Sequence, residues 1–464
     1  MALKFNVQGL GKIEDAEINI NPLTVITGPN GTGKSFFTKT IYSIFRMIED
    51  SSLIREVLEI VQRINEDVNN ENFSDQELTK SQNLAISETI TLLNALEESL
   101  EHPLIESTTN VKKLSKVFDD IFPLFQKIDA IITERTILLD KNQRVIENTI
   151  LANLIDSIHL ICVILDDTKF AHEYFVRMAL PDELKENFQV SELKELTTFG
   201  KERFLISLED HFELEVVNDE DDTFSPYMKI NESKLQFFRN KPNSVFFESP
   251  AYWRVKDALI EAKLKSGENY LSGVPKYFFD LDSSLKLKSK ANSNLMHIFN
   301  MLRDELKGEF INENGHISYK DDAFDTPISK NLVSFGMTNL GMLNSLIKNN
   351  VIREGSYVFI DEPETNLHPD WQVLMIQSLV ALSKAGVNVI ITTHSTEILK
   401  YIEVAFSNIK KEEGEDKVKE LLSVNYLDTD GTSLEFDSEC PIEQTKEALI
   451  ELSSPFLKLY MEGA

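Results

Sequence analysis

Residues 1–48 contain two patterns of apolar residues, one typical of a β-strand and one typical of a helix. A β-rich apolar run covers residues 23–27, a glycine-rich stretch follows at 28–33, and large apolar residues then recur at helical spacing from Ser35 onward. Residues 1–48 are therefore predicted to form a strand, a turn, a second strand and then a glycine-rich loop that opens a helix.

The last third of the chain alternates between the same two patterns. Residues 336–347 and 369–383 have helical spacing, whereas residues 357–360 and 387–392 are short apolar runs typical of buried strands. Strands that alternate with helices indicate a largely parallel sheet. The predicted fold class is therefore α/β, with a central parallel or mixed sheet.

The middle of the chain divides into three segments. Residues 49–203 are mainly helical and acidic, and prolines interrupt them, which favours a compact helical insertion domain over a long rod. Residues 204–250 predict β-strands, and residues 251–330 predict a helical, locally basic segment. With residues 1–48 and 331–464 as the two parts of the main domain, five segments result.

The charge of the chain limits which partners its surface can bind. The 464 residues contain 76 Asp and Glu against 47 Lys and Arg, a net charge of -29, which argues against a surface that binds nucleic acid or anionic lipid throughout. Only residues 1–48 and 251–310 are slightly positive. If the protein contacts a phosphate backbone, the candidate residues are Lys263, Lys265, Lys286, Lys288 and Lys290. The alternative interpretation is that these lysines form a solvated surface that binds nothing.

Targeting and redox signals in the sequence are few. Two cysteines are too few for a disulfide framework, the N-terminus lacks the apolar segment of a signal peptide, and polar residues interrupt the most apolar helical stretch at 150–165. We therefore expect a cytoplasmic protein without a membrane span.

Residues 28–35, with the sequence GPNGTGKS, satisfy the eight-position phosphate-loop pattern between a predicted strand and a predicted helix. Glycines allow backbone N–H groups to turn toward phosphates, Lys34 can reach the β and γ phosphates, and the Ser35 hydroxyl can ligate Mg²⁺. The predicted nucleotide-binding residues of this loop are Asn30, Gly31, Thr32, Gly33, Lys34, Ser35 and Phe36.

Polar residues also follow the two apolar strands of the last third. Asp361 and Glu362 come directly after one strand, where Asp361 can join Ser35 in holding Mg²⁺ and Glu362 can polarise the attacking water. His394 follows the next strand and can hydrogen-bond a γ-phosphate oxygen or that water. Lys34, Glu362 and His394 are thus the predicted catalytic residues.

Taken together, these motifs resemble the ATPase heads of the ABC superfamily, and more narrowly the soluble OLD, RecF and SMC type. The resemblance rests on residues 28–35, on DEPETNLHP at 361–369 and on THS at 393–395, and it covers roughly residues 1–48 and 331–405. It implies an ABC-type P-loop ATPase head that uses ATP and Mg²⁺. It also implies a homodimer in which a signature loop of one subunit caps the ATP held by the other.

Three motifs match the family only in part. The expected signature is degenerate at residues 333–337 (VSFGM), where Ser334 and Gly336 are retained as predicted nucleotide contacts, and LSGV at 271–274 is interpreted as a turn. The family's glutamine loop is not recognisable, so Glu248 or Arg254 is a candidate replacement. The Asp-Thr-Asp stretch at 428–430 resembles a Toprim metal motif, but its flanking residues predict a hairpin turn.

The family resemblance leads to two functional hypotheses. The head looks like those of the Septu and PARIS ATPase subunits, which implies a regulatory ATPase of an antiviral defence system that assembles, as a dimer or higher oligomer, with a separate effector nuclease or toxin. The alternative is a RecF-like or SMC-like DNA-maintenance ATPase that clamps duplex DNA. A non-hydrolysing scaffold would require a silent Glu362 or His394, and the Asn-Leu-His-Pro continuation disfavours a transporter subunit.

Overall fold

The computed structural model describes residues 3–48, 168–209, 211–218, 224–230, 244–248, 273–286, 294–313, 316–324 and 326–463, with positions 62, 91, 94, 258 and 259. The chain forms two compact units, one of Met1–Met47 with Ala179–Ala464 and the other of Ile48–Met178. Most of the second unit lies outside the described residues. The helical insertion domain predicted at 49–203 therefore stays a prediction, and the elements below are mainly those of the first unit.

The described secondary structure comprises strands, α-helices and two short 3₁₀ segments, Leu193–Leu196 and Lys330–Leu332. The strands are β1 (Leu3–Leu10), β2 (Ile13–Ile20), β3 (Leu23–Thr27), β4 (Arg203–Leu208), β5 (Phe212–Asn218), β6 (Phe224–Ile230), β7 (Ser244–Phe247), β8 (Gly308–Glu313), β9 (His316–Asp321), β10 (Ile328–Ser329), β11 (Tyr357–Asp361), β12 (Asn388–Thr393) and β13 (Leu422–Tyr426). The helices are α1 (Lys34–Ile48), α2 (Thr168–Phe188), α3 (Lys276–Lys286), α4 (Met296–Leu306), α5 (Phe335–Lys348), α6 (Pro369–Lys384), α7 (Thr396–Glu413), α8 (Glu415–Leu421) and α9 (Pro441–Gly463).

A five-stranded parallel sheet forms the centre of the first unit, in the order β13-β3-β12-β11-β7. In β3, Val25 pairs with Ile391 of β12 on one side and with Val424 of β13 on the other. All five residues of β3 are buried, as expected for a strand covered on both faces. The predicted α/β class with a parallel sheet is confirmed.

Helix α1 packs on this sheet through aromatic side chains. The Phe45 ring meets Tyr357 of β11 with centroids 4.7 Å apart, and Tyr42 lies edge-on to Phe246 of β7 at 5.5 Å and to Phe359 of β11 at 6.0 Å. Edge-to-face pairs of this kind contribute about 0.5–1.5 kcal/mol each beyond their buried area. The helix that carries the phosphate loop at its start is thereby fixed to β7, which Glu248 follows, and to β11, which ends in Asp361.

A second, antiparallel sheet has the order β2-β1-β4-β5-β6. Inward-facing residues of β1 alternate with more exposed ones, and Phe5 packs against Phe37 of α1 and Phe212 of β5 at centroid distances of 5.7 and 6.1 Å. Helix α1 therefore contacts both sheets. The strands predicted within residues 204–250 are present as β4 to β7, although residues 231–243 lie outside the described chain.

The prediction of a helical segment over residues 251–330 was wrong in its second half. Helices α3 and α4 are present, but β8, β9 and β10 follow them as a three-stranded antiparallel sheet. Phe310 of β8 and Tyr319 of β9 are buried, with ring centroids 5.4 Å apart, and the Tyr319 hydroxyl donates to the carbonyl of Leu306 at 2.5 Å. An Asn-Gly pair at 314–315, a strong sequence signal for a hairpin, stands between the two strands.

The stretch around Asp428 and Asp430 is a turn, as predicted. The Asp428 N–H donates to the Thr432 carbonyl at 2.9 Å, and the Asp430 carboxylate accepts from the Thr432 hydroxyl at 2.7 Å. The flanking hairpin is reduced to one isolated bridge, because β13 pairs in parallel with β3 instead.

Within the part of the chain that the structure describes, no helix is both long enough and apolar enough to cross a membrane.

Candidate nucleotide site

The phosphate loop joins β3 to α1 and requires glycine where the backbone is left-handed or crowded. Gly28, Gly31 and Gly33 have φ angles of 138°, 79° and 96°. A Cβ atom on Gly28 would lie 2.1 Å from the Leu427 carbonyl oxygen, and one on Gly33 would lie 2.7 Å from the Ile13 side chain. Nothing lies within 4 Å of a Cβ on Gly31, so the loop packs closely at both ends while its middle faces open space.

The other predicted loop residues differ in exposure. Asn30 and Gly31 are exposed, whereas Thr32 is buried and its hydroxyl donates to the Pro29 carbonyl at 3.0 Å. The Phe36 ring fills the space beside Gly11, where a Cβ would come within 2.5 Å of it. Phe36 therefore packs behind the loop and presents its backbone, rather than its ring, at the start of the helix.

Lys34 is buried, with a relative exposure of 7%. Its ammonium donates to the carbonyls of Gly28 at 2.8 Å and Pro29 at 2.7 Å. Burial lowers the pKa of Lys34, although the carboxylates of Glu362 and Asp361 oppose this shift. The lysine thus bends back over the loop, where its charge faces the position that phosphates occupy in a phosphate loop.

Ser35 and Asp361, the two residues predicted to hold Mg²⁺, lie in contact. The Ser35 hydroxyl donates to Asp361 Oδ1 at 3.0 Å, and the hydroxyl of Thr392 donates to the same oxygen. Burial raises the pKa of Asp361, while these two hydrogen bonds act against that rise. Carboxylate and hydroxyl oxygens suit a hard cation such as Mg²⁺, so the donor set fits the metal that the motif implies.

Glu362 and His394 form a second pair beside the first. His394 Nδ1 lies 3.1 Å from Glu362 Oε1, and the Thr365 hydroxyl donates to Glu362 Oε2 at 3.3 Å. The two side chains are 43% and 41% exposed for Glu362 and His394. A substrate and a water molecule can therefore reach both groups from solvent.

A third carboxylate, Glu364, which the sequence did not single out, is hydrogen-bonded to the segment that carries His394. Glu364 Oε1 accepts from the Thr393 hydroxyl at 2.6 Å, and the Thr393 oxygen accepts from the Ser395 N–H at 3.0 Å. The other Glu364 oxygen is buried without a hydrogen-bond partner, and burial raises the pKa of the group. The two flanking positions of His394 are thereby tied to the segment that carries Glu362.

Glu248 follows β7 at the same sheet edge, where it forms an ion pair with Lys39 of α1 at 3.0 Å and accepts a hydrogen bond from the Tyr277 hydroxyl. Together with Asp361 and Glu362, it lines a small cavity of about 10 Å³. Arg254, the other candidate replacement for the glutamine loop, lies outside the described residues. The assignment of Glu248 to that role stays a prediction.

The signature residues are held by a different set of contacts. Ser334 is exposed and caps α5, its hydroxyl accepting from the Met337 N–H at 3.2 Å. A Cβ on Gly336 would lie 3.0 Å from the Asn366 carbonyl and 3.1 Å from the Trp371 ring. Among the described hydrogen bonds, none joins Ser334 to the phosphate loop of the same chain. Gly273, in the competing LSGV stretch, has a φ of 72° and lies shortly before α3 begins at Lys276.

The structure therefore brings Lys34, Ser35, Asp361, Glu362 and His394 together at the carboxyl edge of three neighbouring parallel strands. It places Ser334 and Gly336 at the start of α5 instead. Sequence reasoning missed Thr392, Thr393 and Glu364. The Thr-Thr pair directly before His394 was a signal for the two threonines, because β12 lies beside the strand that ends in Asp361.

Residues 1–399 match the family model described as the AAA ATPase domain. The chain belongs to this family. Members of the family carry an ATPase domain, and the phosphate loop and the carboxylates of β11 lie within the matched residues. None of the curated proteins compared with the chain matches it.

Among solved structures, the chain is similar to heads of SMC proteins. The SMC head domain from Thermotoga maritima is 12% identical, with 86% of this chain and 92% of that chain covered and a TM-score of 0.33. An SMC head bound to the C-winged helix domain of ScpA is 11% identical, with coverages of 93% and 95% and a TM-score of 0.39. The head derived from Pyrococcus furiosus is 11% identical, with coverages of 97% and 100% and a TM-score of 0.37. Similarities at this level carry no information about activity.

Proposed function

We propose that this AAA ATPase domain protein binds ATP with Mg²⁺ and hydrolyses it at the site formed by β3, β11 and β12. The observation that carries the proposal is the convergence of two pairs, Ser35 with Asp361 and Glu362 with His394, beside the buried Lys34. The first pair supplies oxygen ligands for a cation, and the second supplies a base and a hydrogen-bonding partner for a water molecule.

Each residue has a distinct part in the proposed reaction. Bound Mg²⁺ would add positive charge next to the β and γ phosphates, held by Ser35 and Asp361. Lys34 turns from the loop carbonyls to the phosphate oxygens. Glu362 accepts a proton from the water whose oxygen attacks the γ-phosphorus, as the bond to the bridging oxygen of ADP breaks. His394, with Nδ1–H donating to Glu362, orients that carboxylate.

The same proposal extends to a nucleotide-dependent switch between copies of the chain. Ser334 is exposed at a helix start, where N–H groups and the helix dipole favour an anion, and within the described residues no hydrogen bond commits it to its own phosphate loop. A second copy that presents Ser334 to the bound ATP would complete the site. Dimer formation on binding and release after hydrolysis would then signal to a separate effector protein, with a nuclease of a defence system as our preferred candidate.

The charges of the described residues favour a protein partner over duplex DNA. Lys286 is the one member of the predicted DNA-binding lysine group that the structure describes, and it forms an ion pair with the buried Asp282 at 2.6 Å. The net charge of -29 acts in the same direction. Binding of bare duplex DNA that weakens steeply with salt would favour the DNA-maintenance alternative instead.

The hydrolysis step is tested with the variant Glu362→Gln, which keeps the shape of the side chain and removes its basicity. We expect ATP turnover to fall at least about 100-fold while binding of Mg-ATP is retained, since general-base catalysis contributes about 10²–10⁴-fold. Turnover is measured by phosphate release and binding by calorimetry. Glu412→Gln, a change of an exposed carboxylate on α7, is the matched control and should behave as wild type. Unchanged turnover in Glu362→Gln would remove this residue from the proposed role.

A further inference from the structure

Asn339 of α5 carries a buried amide oxygen at the edge of the nucleotide site. Gly336, Asn339 and Leu343 are spaced by three and four residues, so they share one face of the helix. On this face a Cβ on Gly336 would lie 3.0 Å from the Asn366 carbonyl, and Leu343 lines a cavity at the end of β11. Asn339 Oδ1 is buried and accepts no hydrogen bond from the described residues. A buried acceptor of this kind gains stability from any group that donates to it.

The cavity beside Glu248 has room for such a donor. Asn339 lines this cavity together with Glu248, Asp361 and Glu362, and the other residues that line it are apolar. Its volume of about 10 Å³ is close to the roughly 10–15 Å³ that one water molecule requires. Polar groups that line a cavity of this size are close enough for a single water molecule to contact two of them.

Among the three carboxylates of the cavity, Asp361 has an oxygen to spare. The oxygens of the other two carboxylates each have a partner. Ser35 and Thr392 both donate to Oδ1 of Asp361, whereas Oδ2 takes part in none of the described hydrogen bonds. A water molecule has two O–H groups, so one water can donate to Asn339 Oδ1 and to Asp361 Oδ2 together.

We propose that Asn339 is a positioning residue for the cation site. Through one water molecule in the cavity, its amide fixes Oδ2 of Asp361 and thereby keeps Oδ1 beside the Ser35 hydroxyl for Mg²⁺. This inference rests on the proposed function, because it concerns the metal of the same site. Groups that orient a metal ligand in this way change the metal affinity about 10–100-fold when they are removed.

The test measures cation binding separately from turnover. Mn²⁺, a paramagnetic substitute for Mg²⁺, is titrated into the full chain with a saturating non-hydrolysable ATP analogue, and electron paramagnetic resonance measures the free ion. We expect Asn339→Leu, which fills the same space with methyl groups, to weaken Mn²⁺ binding at least about tenfold. Asn339→Ser keeps an acceptor oxygen and leaves room for water to reach it, so it should recover most of the affinity.

The same variants are compared in ATP turnover at rising Mg²⁺ concentration. Turnover of Asn339→Leu should return toward the wild-type rate as Mg²⁺ is raised, because excess cation overcomes a loss of affinity. A distorted catalytic site would stay slow at every Mg²⁺ concentration.

Asn344→Leu provides the matched control. Asn344 lies on the same helix, is buried, and has an Oδ1 that likewise lacks a partner among the described residues, but it does not line the cavity. A general effect of replacing an asparagine of α5 would therefore appear in both leucine variants. Mn²⁺ should bind Asn344→Leu as it binds wild type.

Two results would overturn the assignment of Asn339. One is an Mn²⁺ affinity of Asn339→Leu equal to that of wild type, which leaves the amide without a role toward the cation. The other is an equal loss in Asn339→Leu and Asn339→Ser, which assigns the effect to packing. If wild type binds neither the ATP analogue nor Mn²⁺, the proposed ATPase function itself fails, and that failure is distinct because it does not depend on any variant.

Discussion

The backbone of Glu362 adopts a conformation that few residues other than glycine tolerate. Its φ is 52°, in the left-handed region, and that of the nearby Asn366 is 62°. Such a position costs roughly 1 kcal/mol or more and persists only where neighbours fix it. Here the Glu362 N–H donates to the Thr392 carbonyl at 3.0 Å, and the Thr365 N–H donates to the Glu362 carbonyl at 3.0 Å. The tight turn aims the carboxylate out of the strand direction, toward His394.

Glu364 gives the site a pH-dependent stability. Burial raises the pKa of this carboxyl, so the folded protein holds its proton more tightly than the unfolded chain does. The resulting stabilisation is fully present below the unfolded pKa and is lost as pH rises through the folded pKa. We expect Glu364→Gln, which is neutral at every pH, to melt at a higher temperature than wild type at pH 7.5 and to lose this advantage at about pH 4.

The measurement for Glu364 is thermal unfolding of both proteins at the two pH values. A difference of equal size at both would contradict the charge-based account, because it would then come from packing alone. Glu412→Gln is again the control, and an exposed position of this kind should show no such dependence.

At the scale of elements, Asn21 joins the antiparallel and parallel parts of the first unit. It lies between β2 and β3, and its amide donates to the carbonyls of Lys419 at 2.8 Å and Leu422 at 3.1 Å, where α8 ends and β13 begins. The Asn21 N–H also donates to the hydroxyls of Thr24 and Ser423. This buried network closes the edge of the sheet beside the phosphate-loop strand.

We expect Asn21→Ala to lower the free energy of unfolding by about 1–3 kcal/mol, because it leaves the buried Leu422 carbonyl and the partly buried Lys419 carbonyl without these donors. Urea denaturation followed by circular dichroism measures the change. Asn408→Ala, at an exposed position on α7, is the control and should be neutral or slightly stabilising, since alanine favours helix. Equal stability of Asn21→Ala and wild type would show that the network does not hold the sheet edge.

The elements that the sequence predicted well are those whose pattern is local. β11 and β12 are continuous apolar runs followed by polar motifs, so both the strands and the edge where Asp361 and His394 meet followed from the sequence. The prediction of helix over β8 and β9 is wrong because short amphipathic stretches fit both periods. The contact of Thr393 with Glu364 depends on how two strands and the loops after them align, and that information is not contained in either stretch alone.

At the scale of the whole molecule, the exposed helix start at Ser334 predicts an ATP-dependent change of mass. We expect Glu362→Gln in Mg-ATP to sediment as a dimer, because ATP stays bound, and as a monomer without nucleotide. Adding Ser334→Arg should prevent the dimer and leave ATP binding to the single chain intact, since Ser334 would contact the nucleotide of the partner. Sedimentation velocity gives the mass and calorimetry the binding.

Two results would contradict this account of the dimer. One is a dimer of unchanged stability in the Ser334→Arg background, which would place the interface elsewhere. The other is a Ser334→Arg protein that no longer binds ATP as a single chain, which would place this residue in its own site.

The position of β3 in its sheet has a consequence for synthesis of the protein. The strand that leads into the phosphate loop is β3, at Leu23–Thr27, but its two neighbours are β12 (Asn388–Thr393) and β13 (Leu422–Tyr426), and Asn19 is hydrogen-bonded to Asn425, 406 residues away. A ribosome therefore has to synthesise β12 and β13 before β3 finds either partner. A chain that ends before β12 would carry the complete GPNGTGKS sequence and still lack the sheet that shapes it, so only chains that extend through β13 would acquire a working nucleotide site.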